Sequence, residues 1–252
     1  MKYRFIDLFA GAGGLSEGFI RAGYEPIAHI EMDHYACDSL KTRAAFHYLK
    51  ENGKLEIYEE YLKNKKEKTD GSWLWNQVPK SVIDSVIQEA IGKETLPSLF
   101  ERVDKLCNGK PVDMIIGGPP CQAYSVAGRA RLGKKIEEDP RNDLYKFYVE
   151  FLKRYKPKMF VFENVLGIFT AKGGEPFRDL IRLVRELDYN IDFREQIASQ
   201  HGVLQKRHRV IIVGWQNKRD TQEDTSYHYP YLLEEQMPYK MMRDLFCDLP
   251  IV

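Results

Sequence analysis

The sequence predicts an α/β domain built on a doubly wound, mostly parallel sheet. Short, near-continuous apolar runs recur along the chain, as expected of strands covered on both faces. Amphipathic helical stretches separate them, the alternation that marks parallel α/β folds. Two of the apolar runs end directly in glycine-rich turns, where such sheets hold their ligands.

Taken in order, the clearest strands are Arg4–Phe9, Pro26–Ile30, Val112–Ile116, Met159–Glu163 and Val210–Gly214. A first helix containing Leu15, Phe19 and Ala22 follows the first strand. Between the later strands, Leu144, Phe147, Tyr148, Phe151, Leu152 and Tyr155 fall on one helical face, and Phe177, Leu180, Ile181, Val184 and Leu187 repeat the scheme. Two regions break the rhythm. Residues 48–106 are rich in Lys and Glu, include the run Lys63-Asn64-Lys65-Lys66-Glu67-Lys68, and are expected to form a charged, mostly helical, solvated insertion without a buried strand. Residues 215–252 are polar at first, then carry Tyr227–Tyr231 and a helical-looking Met241–Leu249, too short for a domain. The expected organisation is therefore one domain over 1–214 and a connection over 215–252.

At 252 residues and 43% hydrophobic, the chain can bury one sizeable core. Lys plus Arg total 38 against 37 Asp plus Glu, a net charge of +1. A nucleic-acid enzyme with that balance has to concentrate its basic residues in one groove. The cysteines Cys37, Cys107, Cys121 and Cys247 are scattered, which suggests neither a disulfide framework nor a zinc site. No metal is expected. A strand pattern starting at Met1–Ile6 leaves no room for a signal peptide, and no apolar run approaches the roughly 20 residues of a membrane span. These features predict a cytoplasmic protein.

Four motifs carry chemistry. The first is Asp7-Leu8-Phe9-Ala10-Gly11-Ala12-Gly13-Gly14, between strand and helix. Glycines let the backbone turn and approach a ligand, and the helix N-terminus offers free N–H groups. Glu31, at the end of the second strand, is placed to accept both hydroxyls of a ribose. An adenosine-containing cofactor and simple helix–strand packing both fit this pattern. The Gly-x-Gly-x-x-Gly spacing is absent, which weighs against a pyrophosphate-bearing nicotinamide cofactor. The second motif, Gly117-Gly118-Pro119-Pro120-Cys121-Gln122, leaves the third strand at the same end of the sheet. Consecutive prolines stiffen the loop and hold the next side chain, making Cys121 the candidate nucleophile. The other three cysteines are expected to be small core residues.

The third motif is Phe162-Glu163-Asn164-Val165, at the end of the next strand. Glu163 is either a proton-handling carboxylate or a structural, capping one. The fourth is Gln205-Lys206-Arg207-His208-Arg209. Strand alternation puts Arg207 and Arg209 on one face, suited to phosphate or a base carbonyl, or simply to a solvated edge.

Together and in this order, these motifs resemble the cytosine-C5 DNA methyltransferase family. Asp139-Pro140-Arg141-Asn142-Asp143-Leu144 adds a fifth likeness, and the resemblance spans about Tyr3 to Gly214 apart from the insertion. It implies a seven-stranded, Rossmann-like methyltransferase sheet and the cofactor S-adenosyl-L-methionine (AdoMet), released as S-adenosyl-L-homocysteine. It implies a flipped cytosine in double-stranded DNA, with Cys121 attacking C6, Glu163 on the base edge, and Arg207 and Arg209 near the base O2 and the backbone. Phe9, Gly11 and Gly14 would line the cofactor pocket, with Glu31 on the ribose, Met32 beside the adenine, Pro120 between cofactor and base, and Leu144 on the far wall. The family also uses an acidic residue at the end of the third strand of its sheet; Asp104 is the candidate.

The family continues into a target-recognition domain and further motifs that do not follow Val252, and Met242–Pro250 resembles the segment just before that domain. The missing part is expected elsewhere, on a second polypeptide among other possibilities. Two alternatives stand beside DNA methylation: an inactive AdoMet-binding partner of a complete methyltransferase, and a tRNA cytosine-C5 methyltransferase. A restriction–modification setting is a further expectation of the resemblance.

Overall fold

The computed structural model describes residues 2–63, 71–120 and 143–217. Seven strands form one sheet: β1 Arg4–Leu8, β2 Glu25–Glu31, β3 Val86–Gln88, β4 Met114–Gly117, β5 Met159–Asn164, β6 Tyr189–Ile197 and β7 His208–Gln216. Their order is β3-β2-β1-β4-β5-β7-β6. The first five are mutually parallel, whereas β7 runs antiparallel to both β5 and β6. The direction of strand succession reverses between β1 and β4. Their carboxyl ends flank the crevice of a doubly wound sheet.

Side-chain alternation assigns the two faces. Ile6 and Leu8 of β1 point to one side and join Ile115, Phe160 and Phe162 in the main core. Three helices cover that side: α6 (Leu96–Cys107), α7 (Leu144–Tyr155) and α8 (Glu175–Glu186). They contribute Leu99 and Val103, then Tyr148, Phe151 and Leu152, then Leu180 and Val184. Phe5 points the other way and packs with Met114 and Ile116 under Leu15, Phe19 and Ile20 of α1 (Gly14–Arg21) and its neighbours. The helix α2 (His34–Glu51) lies beyond, placing Cys37 and Leu40 against Ala10 and Val86. Each large apolar side chain so buried contributes on the order of 1.5–3 kcal/mol. Tyr148 is fully buried, and its hydroxyl lies 3.0 Å from the Ile115 carbonyl oxygen and 3.1 Å from that of Val161, tying β4 to β5.

All five expected strands are present, with ends displaced by up to two residues. The stretch 48–106 departs from expectation. It is not simply a solvated helical insertion, because it contains β3 and α6, both part of the buried fold. Val86 and Ile87 are buried, and β3 pairs with His29–Glu31 of β2. At three residues, β3 is too short for its apolar character to stand out from the charged sequence around it. The extra helices are α3 (Leu55–Lys63), α4 (Ser72–Trp75) and α5 (Lys80–Asp84). They have a small core of their own, in which Tyr61, Leu74 and Val78 pack on Ala45 and Leu49 of α2. The expected strands also omit β6, an edge strand in which Tyr189, Ile191 and Phe193 alternate with polar residues and whose middle, Phe193–Glu195, is exposed. Most of the lysine run, most of the Asp139–Leu144 motif and residues 218–252 lie outside the described residues.

Candidate active site

Most of the described candidate residues lie at the carboxyl ends of β1, β2, β4 and β5 and at the start of antiparallel β7. Beyond Leu8 the chain turns sharply. Phe9 has φ 56°, a left-handed conformation that is unfavourable for a bulky residue, and Gly11 and Gly13 follow at 53° and 84°. The Ala10 N–H donates to the Ile30 carbonyl at 3.1 Å and the Gly13 N–H to the Ala10 carbonyl at 3.0 Å, closing the turn. The three glycines answer different needs. A Cβ on Gly13 would stand 2.9 Å from Leu40 Cδ2, so this glycine serves packing against α2. A Cβ on Gly11 or Gly14 would meet no atom within 4 Å. Packing therefore explains only the middle one.

Glu31 closes this loop from the neighbouring strand. Its Oε2 accepts the Gly11 N–H at 2.8 Å, while Oε1 accepts the Met32 and Asp33 N–H groups at 2.8 and 2.9 Å. The carboxylate thus clasps the glycine loop and the entry to α2, where Asp33 caps the helix by accepting from Ala36 at 2.8 Å. Met32 beside it is 67% exposed, an unusual place for a methionine. Beneath the loop, Asp7 and His29 are buried side by side on paired positions of β1 and β2, with Asp7 Oδ2 3.5 Å from His29 Nδ1. Burial pushes the Asp7 carboxyl above its ordinary range, opposed by His29. The motif reading gave Asp7 and His29 no role.

The second cluster forms around Glu163, at the end of β5. Arg209 donates from Nε to Glu163 Oε1 at 2.6 Å, and Arg207 NH2 lies 3.9 Å from the same oxygen. Antiparallel pairing of β7 with β5 brings both arginines here, since Asn164 faces Val210 across the ladder. The two arginines share the expected face, on which Arg209 bonds Glu163 while the Arg207 side chain stays about half exposed. The Gly-Gly-Pro-Pro loop approaches from β4. A Cβ on Gly117 would fall 2.3 Å from the Leu8 carbonyl oxygen, and one on Gly118 would fall 2.7 Å from Glu163 Oε2. Only glycines let this loop lie so close to β1 and to the carboxylate. Asn164 Nδ2 donates to the Pro119 carbonyl at 3.2 Å, an anchor with no counterpart in the motif reading.

Pro120 is half-buried at the last described position of this loop, and Cys121 itself lies outside the described residues. Leu144 opens α7 and is half-buried. Cys37 and Cys107 are buried free thiols, as expected of core cysteines, and burial pushes the Cys37 thiol up to about 11. Asp104 is misplaced as a site candidate. It sits on α6, ion-paired with Arg154 and accepting from the Tyr155 hydroxyl at 3.0 Å, rather than at a strand end. The strand end in question is that of β3, where Glu89 follows Gln88 and donates its N–H to the Glu31 carbonyl at 2.9 Å. Among the described residues, no helix is long and apolar enough to cross a membrane.

The family model for C-5 cytosine-specific DNA methylases matches residues 3–70 and 99–248. The chain is 33% identical to the type II methyltransferase M.Bpa9945I of Bacillus paralicheniformis, over 98% of this chain and 60% of that protein. It is 32% identical to M.FnuDI of Fusobacterium nucleatum, over 98% of this chain and 55% of that one. A solved structure described as a prophage-encoded DNA modification methyltransferase of E. coli superposes with a TM-score of 0.55 at 27% identity, covering 85% of this chain and 47% of that chain. The Entamoeba histolytica methyltransferase EhMeth shares the fold, with a TM-score of 0.52 at 18% identity, over 88% of this chain and 55% of that one. The chain thus spans about half to three-fifths of the length of these relatives. With its family model matched on both sides of the helices α4 and α5, the chain belongs to the C-5 cytosine-specific DNA methylase family.

Proposed function

We propose that this chain carries the catalytic region of an enzyme that transfers a methyl group from AdoMet to C5 of a cytosine in duplex DNA. The observation that carries the reading is the Glu163 cluster. A carboxylate at a strand end is held by Arg209 at 2.6 Å, with the stem of the Cys121 loop packed against it. A cytosine offers its exocyclic amine as a donor to such a carboxylate, N3 as an acceptor for a proton held between the two, and O2 to a guanidinium, so the pair matches one edge of that base. The base has to leave the duplex to present that edge, because C5 and C6 are enclosed in the stack.

The Cys121 thiolate adds to C6, forming a C–S bond and moving an electron pair toward C5. Glu163 and Arg209 hold the base while its charge redistributes. When bound, AdoMet would supply the methyl group that C5 takes up, with S-adenosyl-L-homocysteine as its product. Transfer of the C5 proton to water would then re-form the C5–C6 double bond and expel the thiolate. The first cluster fits the cofactor: Gly11 and Gly14 border open space, and Glu31 Oε2, which accepts one backbone N–H where Oε1 accepts two, keeps an acceptor position for a ribose hydroxyl. Phe9 and Met32 supply apolar surface beside it, Pro120 and Leu144 further walls, and Glu89 an acidic group at the end of β3. Reading of a target sequence is assigned to length that the relatives have beyond this chain, with a bacterial-type restriction–modification setting and a cytoplasmic location as part of the same proposal.

The test is covalent trapping on a duplex library containing 5-fluorocytosine, with AdoMet, using the chain alone and with the polypeptide encoded downstream. Fluorine at C5 blocks the final elimination, so the expected result is an adduct that Cys121→Ser abolishes without loss of AdoMet binding or thermal stability. Intact AdoMet binding with no adduct under either condition would overturn the proposal.

A further inference from the structure

Where β4 ends, the ladder to β5 cannot continue. Their parallel register runs from Met114 with Met159 to Gly117 with Phe162. The next pairs in that register would be Gly118 with Glu163 and Pro119 with Asn164. Pro119 has no N–H, and neither has Pro120, so this loop offers no amide at either position for the sheet to hold. The remaining handle is the Pro119 carbonyl, and the Asn164 side chain takes it, donating from Nδ2 at 3.2 Å. Asn164 is 4% exposed, and its Oδ1 accepts the Val165 N–H at 2.9 Å. Turning the carboxamide over would set oxygen against oxygen and N–H against NH2, so both contacts fix one orientation.

We propose that Asn164 is the positioning residue for the nucleophile: its carboxamide pins the Pro119 carbonyl and so sets the loop stem that carries Cys121 at a fixed spacing from Glu163. This rests on the methyl-transfer reading. Asn164 adjoins Glu163 in the chain, and Gly118 lets the loop reach within contact of the Glu163 carboxylate. One side chain therefore registers the two groups that meet the base from different strands. A buried amide–carbonyl bond replaces the missing rung of the ladder, and its loss would free the loop without removing any group that touches the base. Pre-organisation of this kind is what keeps reacting atoms in line, and small displacements are costly in rate.

The experiment compares Asn164→Asp and Asn164→Ala with the wild-type chain in the 5-fluorocytosine trap, under whichever condition gives the wild-type adduct. Adduct formation should slow at least tenfold in both variants, while AdoMet affinity stays within about twofold and the DNA concentration for half-maximal rate changes little. The pH profile separates positioning from folding. An Asp at 164 is isosteric and regains a donor only when protonated, so its rate relative to wild type should rise as pH falls, whereas the Ala ratio stays flat. Wild-type trapping with undiminished rates in both variants would overturn this inference alone, as would parallel pH profiles for Asp and Ala. Absence of a wild-type adduct would overturn the methyl-transfer reading and this inference with it.

Discussion

Replacing Glu31 by Ala tests the cofactor cluster most directly, because the carboxylate has two separable tasks. Three backbone N–H groups lose their acceptor, those of Gly11, Met32 and Asp33, at 2.8–2.9 Å. Hydrogen bonds to a charged group contribute about 1.5–3 kcal/mol each when sheltered. Met32 is 67% exposed, so its amide and that of Asp33 can turn to water. The part-buried Gly11 amide is the larger loss. A net destabilisation of about 1–2 kcal/mol follows, or a melting temperature lower by about 2–8 °C for a chain of this size. AdoMet loses a charge-assisted bond and also meets a loosened glycine loop, so its affinity should fall by about 1.5–3 kcal/mol, roughly 10- to 200-fold. Calorimetric titration with AdoMet, together with thermal melting with and without ligand, measures both. A lower melting temperature with unchanged affinity would reduce Glu31 to a clasp for the loop. Unchanged values of both would refute the energetic argument itself. Glu31→Gln should fall between, since an amide has one acceptor oxygen and sets its NH2 against a backbone N–H on the other side.

Gly118→Ala places a methyl group 2.7 Å from Glu163 Oε2, so either the loop or the carboxylate has to move. Overpacking of this kind costs about 1–3 kcal/mol, and methyl-transfer activity should drop at least tenfold with AdoMet affinity unchanged, which activity and binding assays on the same preparation would check. Glu17 gives a pH prediction. A hydrogen bond to His47, aided by Arg21 and Arg43, holds its carboxyl at about 2. Because the folded-state value is depressed, the stabilisation is present above the unfolded value of about 4.5 and is lost as pH falls from there toward 2. Urea unfolding at pH 7, 4 and 3 should show that decline, and Glu17→Gln should flatten it.

Much of the arrangement is legible in the sequence, and the reason is the sheet. Strands buried on both faces read as apolar runs, so β1, β2, β4, β5 and the antiparallel β7 can be located from those runs alone. Ligand loops of such sheets leave the carboxyl ends, which places Gly11, Glu31, Pro120 and Glu163 at one rim before any contact is known. The edges are harder to read. β3 spans three residues inside a charged stretch, and β6 alternates apolar and polar residues from Tyr189 to Arg194, so neither reads as a long continuous apolar run. Missing β3 also misdirects the search for an acidic residue at its end. Asp104 belongs to α6 and is tied to Arg154, while Glu89 is the acid that follows the strand.

By itself, the sequence determined the fold class, the succession of the loops and the residue types that could carry the chemistry, because these follow from local periodicity and from motifs contiguous in the chain. Tertiary structure decided which of those residues meet. Arg209 reaches Glu163 because β7 is inserted antiparallel between β5 and β6, a pairing between segments 46 residues apart that no local pattern encodes. Gly13 proves to serve packing and Gly118 the approach to a carboxylate, although the two look alike in a string of glycines. Asn164 acquires its task only because Pro119 breaks the β4–β5 ladder opposite it. Such contacts arise from register between strands, which is set by the burial of whole faces rather than by any one motif.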